Sequence, residues 1–69
     1  MKRESVDSSN IASIGYDEAS HTLEVGFLNG SVYQYFNIPE NEYNSIMNAS
    51  SKGQYLNQNI KGRYRYAKV

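Results

Sequence analysis

The stretch KGRYRYAKV, residues 61–69, interleaves four cations, Lys61, Arg63, Arg65 and Lys68, with two tyrosines, Tyr64 and Tyr66. Each residue type has a role toward nucleic acid. Ammonium and guanidinium groups neutralise phosphates, while tyrosine faces and guanidinium planes stack on unpaired bases, so the mixture suits RNA or single-stranded DNA. Lys52 joins the candidate set if a helix start brings it alongside. The signal is of low specificity, because basic residues near a terminus more often form a solubilising surface. A second aromatic element, Tyr33-Gln34-Tyr35, supplies either two core rings or an exposed stacking platform.

Other chemistry is missing. There is no Ser/His/Asp order, no nucleophile elbow, no glycine-rich phosphate loop ending in lysine and no metal-ligand spacing. Asp17 and Glu18 are adjacent and cannot simply converge as an acid/base pair. His21 is the one imidazole and reads as a solvated turn residue. With no cysteine, neither a disulfide nor a thiolate ligand is available. A chain of 69 residues is also expected to have little room for a concave pocket of ordinary size, ~300 Å³ or more. The expectation is a non-enzyme with no cofactor and no metal.

Length allows one domain, close to the lower limit at which a single core holds a fold unaided. No apolar run approaches the ~18 residues of a membrane span, and no signal-peptide core follows Met1. A cytoplasmic, membrane-free protein is expected, with either RNA or another protein as partner. The formal net charge of zero hides an asymmetry. All the acids, Glu4, Asp7, Asp17, Glu18, Glu24, Glu40 and Glu42, precede Tyr43, and no cation falls between Glu4 and Glu42. From Tyr43 onward there are only cations: Lys52, Lys61, Arg63, Arg65 and Lys68. The split is an electrostatic footprint if folding separates the halves, and cancels if they lie side by side.

The elements that must position these residues follow from periodicity. Residues 1–9 are polar and expected to be a flexible, frayed N-terminus, leaving 10–69 as the domain. IASIGYD alternates Ala12, Ile14 and Tyr16 against Ser13, Gly15 and Asp17, the period of a half-buried strand. TLEVGFL alternates Leu23, Val25 and Phe27 against Glu24 and Gly26. Asn29-Gly30 is the strongest hairpin signal, since both residues tolerate positive φ. A third strand then runs from Ser31 to about Asn37.

The faces of Tyr33 and Tyr35 depend on that turn. A two-residue loop pairs Phe27 with Val32 and Val25 with Gln34, turning both tyrosines away from the core. A type I turn with Gly30 as a bulge slips the pairing by one and flips the whole strand. Val25 then meets Tyr33, Leu23 meets Tyr35, and Glu24 sits opposite Gln34. Energetics favour the slip. The first register places Gln34 amid apolar side chains, where an unpaired amide costs about 1–3 kcal/mol, and leaves two large rings unburied. The slip leaves Val32 and Phe36 partly exposed.

Pro39 suits the first position of a helix, and Glu40 and Glu42 suit its first turn. Tyr43, Ile46 and Met47 form a stripe that can cover the sheet. Ser51 and Gln54 resemble a capping box opening a second helix, with Tyr55, Leu56 and Ile60 apolar and Gly62 at its end. RYRYAKV finishes as an edge strand or as an ordered tail. The expected fold is α+β: a three-stranded antiparallel meander packed by one or two short C-terminal helices, with a possible fourth edge strand.

Taken together, SSNIASIGYD, TLEVGF, NGSVYQYFNIP, SKGQYLNQNI and GRYRY resemble the KTSC domain, from about Val6 to Tyr66. That family occurs at the C-terminus of some lysyl-tRNA synthetases and as short stand-alone bacterial proteins. The resemblance includes the tyrosine pair Tyr33 and Tyr35. It implies a non-catalytic accessory domain, for which RNA binding is suggested by the synthetase connection, and it carries over no catalytic or ligand residue. Two functions remain open: weak RNA binding through the basic, tyrosine-containing C-terminal half, or a protein-interaction module using a sheet face or edge.

Overall fold

In the computed structural model, which describes residues 1–69, one antiparallel sheet runs in the order β1-β2-β3-β4-β5. Its strands are β1 (Glu4–Ser5), β2 (Ile11–Asp17), β3 (Thr22–Phe27), β4 (Val32–Tyr35) and β5 (Tyr66–Lys68). Between β4 and β5 lie helix α1 (Glu40–Asn48), the short helix α2 (Lys52–Tyr55) and a π-helical turn, Leu56–Ile60. The α+β expectation holds, with two edge strands added to the central meander. RYRYAKV ends as a strand only from Tyr66, which pairs with Tyr35. At the other edge, residues 1–9 do not simply fray. Glu4 and Ser5 pair with Ile14 and Ser13, and the Val6 amide donates to the Ala12 carbonyl at 3.1 Å.

Strict alternation fails at one point in β2. Ile11 pairs with Phe27 and Ser13 with Gly26, so Ala12 is an extra residue, a bulge. The bulge turns Ile11 onto the same face as Ile14, and both are fully buried while Ala12 is not. Leu23, Val25, Tyr35, Ile38, Ile46, Leu56 and Ile60 complete the core. The sheet thus supplies one wall of the core and the helical segments the other.

The β3–β4 connection takes the slipped register. The Phe27 amide donates to the Ser31 carbonyl at 2.8 Å, and the Gly30 amide donates to the Phe27 carbonyl at 3.0 Å. Leu28, Asn29 and Gly30 therefore form the loop, with Gly30 at φ +93°. Leu23 meets Tyr35, Glu24 meets Gln34, Val25 meets Tyr33 and Gly26 meets Val32. Val32 and Phe36, on the other face, are half-buried.

That other face is polar and is held by a residue from the N-terminus. Arg3 Nη1 donates to Glu24 Oε2 at 2.8 Å, and Gln34 Nε2 donates to Glu24 Oε1 at 2.8 Å. Glu24 is only 8% exposed, so both carboxylate oxygens need these partners. Arg3 reaches across because Gly15 and Gly26 leave room: a Cβ on Gly15 would lie 2.9 Å from Arg3 Cγ, and one on Gly26 would lie 3.4 Å from its Cζ.

The helices are fastened by tyrosine hydroxyls. Pro39 is the N-cap of α1 rather than its first residue, and Ser51 Oγ caps α2 by accepting from the Gln54 amide at 3.3 Å. Tyr43 stacks on Tyr16 with centroids 4.9 Å apart and planes at 11°, tying α1 to β2. Tyr16 donates to the Ile38 carbonyl at 2.6 Å, and Tyr43 to Glu4 Oε2 at 3.4 Å. Glu42 accepts from two hydroxyls, Tyr55 and Tyr64, the latter at 3.1 Å.

Two expectations follow. In Gly30→Ala the new methyl group meets open space, so only backbone strain is added. That costs about 1–2 kcal/mol for an L-residue in the left-handed region, read as a lower urea midpoint at unchanged m value. Gly30→Asn should lose less, because asparagine visits that region readily; equal losses would contradict the turn assignment. The second concerns alkali. Tyr55 holds its proton above the usual tyrosine range, chiefly through its hydrogen bond to Glu42, and Tyr16, Tyr43 and Tyr64 do so chiefly through burial. A raised folded-state pKa stabilises the fold fully below the unfolded value of about 10, and that contribution disappears as pH rises through the folded values. Unfolding free energy measured between about pH 8 and about pH 11 should be level and then fall. The fall should be shallower when Tyr55 and Tyr64 are both phenylalanine.

Candidate nucleic-acid interface

Seven tyrosines divide into two groups by what their hydroxyls do. Tyr16, Tyr43, Tyr55 and Tyr64 donate to protein oxygens. Tyr33, Tyr35 and Tyr66 make no protein hydrogen bond through their hydroxyls, and these three share one cleft. They are brought together by register: Tyr35 pairs with Tyr66 across β4–β5, and Tyr33 follows on the same face of β4. Ring centroids lie 6.5 Å apart for Tyr33 and Tyr35, 5.9 Å for Tyr33 and Tyr66, and 6.0 Å for Tyr35 and Tyr66. Phe27 closes the group with its edge on Tyr33, at 5.8 Å and 86°.

The cleft has a volume of about 530 Å³ and is further lined by Asn29, Ser31, Lys61 and Gly62. This corrects the expectation that so short a chain lacks a pocket of ordinary size. No residue of α1, α2 or the π-helical turn lines it, so aromatic side chains there wall a cleft instead of filling a core. Tyr35 is 2% exposed and Tyr66 is 62% exposed, so one ring is the buried floor and the other a rim. The inward reading of the tyrosine pair therefore holds for Tyr35, while Tyr33 is half-buried between core and cleft. Burial chiefly, with Tyr33 and Tyr66 beside it, holds the Tyr35 hydroxyl in its protonated form above the ordinary tyrosine range.

Of the candidate cations only Lys61 lines the cleft. Lys61 Nζ lies 5.7 Å from the Phe27 ring centroid, in contact by a cation–π interaction. Lys68 is the register partner of Tyr33, on the cleft face of β5. Arg63 and Arg65 are exposed on the segment joining the π-helical turn to β5, and the Arg65 carbonyl accepts from the Phe36 amide at 2.9 Å. Lys52 does not join them. Its Nζ donates to the Ala49 carbonyl at 3.0 Å, and it lines a separate polar groove with Asp7 and Ser8. Tyr64 is half-buried with its hydroxyl on Glu42, a fastening for the tail rather than a free ring. The one ion pair in the molecule joins Arg3 and Glu24, so no cation of the C-terminal half is neutralised by direct contact with an acid.

Phe27, Asn29 and Ser31 are additions that residue types alone did not single out. Phe27 was legible only through the slipped register, which sets it beside Tyr33. Asn29 and Ser31 reach the cleft because the loop closes over three residues. No three His, Cys, Asp or Glu side chains converge on a metal position. No helix is long and apolar enough to cross a membrane.

Comparison with known proteins agrees with the fold. Residues 7–64 match the family model of the KTSC domain. A lysine–tRNA ligase of Nostoc punctiforme is 36% identical over 63 residues, which cover 91% of this chain and only 11% of that enzyme. An uncharacterized protein of Stutzerimonas stutzeri is 37% identical over 70 residues, spanning 100% of this chain and 99% of that one. The crystal structure of a KTSC domain protein from Yersinia pestis superposes with a TM-score of 0.93 at 40% identity, over 99% of this chain and 96% of that one. By sequence along most of its length and by fold, this chain belongs to the KTSC domain family.

Proposed function

We propose that the domain is a non-catalytic accessory module that binds single-stranded RNA weakly, through the tyrosine cleft and the cations beside it. The observation that carries this reading is a cleft of three tyrosines with unengaged hydroxyls, lined by Lys61 and followed along the chain by the exposed, unpaired Arg63 and Arg65. Aromatic faces stack on bases of any sequence, and cations along the same path follow the phosphates. A duplex, whose bases are already stacked and paired, has nothing to offer the cleft. Relatives that are lysine–tRNA ligases carry a homologous segment as 11% of their length, which sets such segments on enzymes named for an RNA. The rival reading, a protein-docking sheet face, is less well supported. On that face Gln34 separates Val32 from Phe36, and the Arg3–Glu24–Gln34 bonds make its centre polar.

Fluorescence anisotropy of a labelled single-stranded RNA tests the proposal. Affinity should fall with salt, with a log–log slope of about −0.7 per phosphate neutralised. Replacing Arg63 and Arg65 together by glutamine should flatten the slope by roughly one to two contacts and weaken all sequences alike. Undetectable binding at low salt, or indifference to those replacements, would leave protein interaction as the standing function.

A paired substitution separates the two tyrosine groups. Tyr66→Leu should cost about 1–3 kcal/mol of RNA affinity, with little change in stability because the ring is 62% exposed. Tyr64→Phe should do the opposite, lowering stability by about 0.5–1.5 kcal/mol through the lost bond to Glu42, with RNA affinity of the folded protein unchanged. The reversed pattern would place the stacking surface at the tail instead.

A further inference from the structure

Among the seven tyrosines only Tyr35 is buried, at 2% exposed, and its hydroxyl has no partner in the protein. A tyrosine hydroxyl taken out of water ordinarily finds one. Tyr16, Tyr43, Tyr55 and Tyr64 all do, although each is less buried. Every side-chain nitrogen or oxygen shut off from solvent in this molecule is hydrogen-bonded. The Tyr35 hydroxyl is not, so the small exposure left to this residue includes that oxygen. Since Tyr35 lines the cleft, the oxygen opens onto it. Phenylalanine would fill the core equally well, and the hydroxyl bonds nothing in the protein. The floor of an aromatic cleft thus presents one polar group to an occupant.

Resting on the reading of the cleft as an RNA site, we infer that it seats one unstacked base edge-first, with the Tyr35 hydroxyl hydrogen-bonded to the base edge. Nearer the rim, Tyr33 and Tyr66 are less buried and offer faces on which the ring stacks. Lys61, exposed and without an acid in contact, belongs to the same lining and meets the phosphate. The ligand class is a flat heterocycle with polar atoms on its edge and an anion on a short arm, which describes a nucleotide. A neutral hydroxyl donates or accepts, so Tyr35 bonds a ring carbonyl, a ring nitrogen or an amino group. It therefore raises affinity for any base and selects none among them. What it distinguishes is a base from an apolar ring. An occupant without a polar edge cuts the hydroxyl off from water and leaves it unpaired.

Chemical-shift titration of the unaltered protein and of Tyr35→Phe with UMP and with AMP tests this. The substitution removes an oxygen that bonds nothing in the protein, so the urea midpoint should stay where it is. Both nucleotides should bind about two- to tenfold more weakly, the factor one net hydrogen bond supplies. The control ligand is the ribonucleotide with phenyl in place of the base, which keeps ring, ribose and phosphate but has no polar edge. It should bind Tyr35→Phe as well as it binds the unaltered protein, or better. Lys61→Met should weaken all three ligands. Undiminished binding of UMP and AMP by Tyr35→Phe overturns the inference, as does the absence of any shift with either nucleotide. An equal loss for the phenyl ligand overturns it too, by marking a packing effect. If the unaltered protein still binds single-stranded RNA in those cases, the broader RNA reading survives. A loss confined to UMP and AMP, in a protein that binds no single-stranded RNA, keeps the base seat and removes the RNA function.

Discussion

The register between β3 and β4 governs the rest of the molecule. Because successive side chains of a strand point to opposite faces, a one-residue change at the Leu28–Gly30 loop would exchange Tyr33 and Tyr35 for Val32, Gln34 and Phe36. Tyr35 would leave the core, Gln34 would enter it, and Glu24 would lose the amide opposite it. If β5 kept Tyr66 on the helix-covered face, its neighbour on β4 would become Gln34 or Phe36 in place of Tyr35. One residue with φ +93° therefore decides which side chains fill the core and whether an aromatic cleft exists.

Given that register, the two faces are stabilised by different physics. The helix-covered face buries aliphatic side chains, and its helices are located by a ring stack and by hydroxyl bonds to Ile38, Glu4 and Glu42. The opposite face is stabilised by a carboxylate that is almost buried yet fully hydrogen-bonded, with Arg3 laid across two glycines to reach it. Removing either partner would leave charge poorly solvated, a larger loss than the pair itself contributes. A two-residue strand at the edge is thus more than an appendage. It delivers Arg3 to Glu24 on one face and Glu4 to Tyr43 on the other.

Tyrosine serves both structure and candidate function here, and hydroxyl partnering distinguishes the two. Where a carbonyl or carboxylate is within reach, the ring is a fastening. Where none is, as for Tyr33, Tyr35 and Tyr66, the hydroxyl keeps no protein partner, and the less buried rings of Tyr33 and Tyr66 remain open to a ligand. Glu42 is the clearest example of the first kind, drawing Tyr55 and Tyr64 together and so holding the tail that leads to Tyr66. An acid from the negatively charged half thereby positions the basic half without forming an ion pair with it.

Much of this was legible in residue order. Alternation marked the three central strands, Pro39 and Ser51 marked helix starts, and the conflict between a buried Gln34 and two exposed tyrosines selected the register. These are local signals, set by backbone preference and side-chain period, and such signals survive in one dimension. The bulge at Ala12, the strand at Glu4–Ser5 and the reach of Arg3 were not legible, because each depends on a partner distant in sequence. The candidate site divides the same way. Cations and tyrosines of the C-terminal segment were visible as residue types, but which rings would be free was not. Only the folded chain places Tyr64 within reach of Glu42 and Tyr66 beyond reach of any acceptor, and a hydroxyl's availability is a property of its neighbours in space.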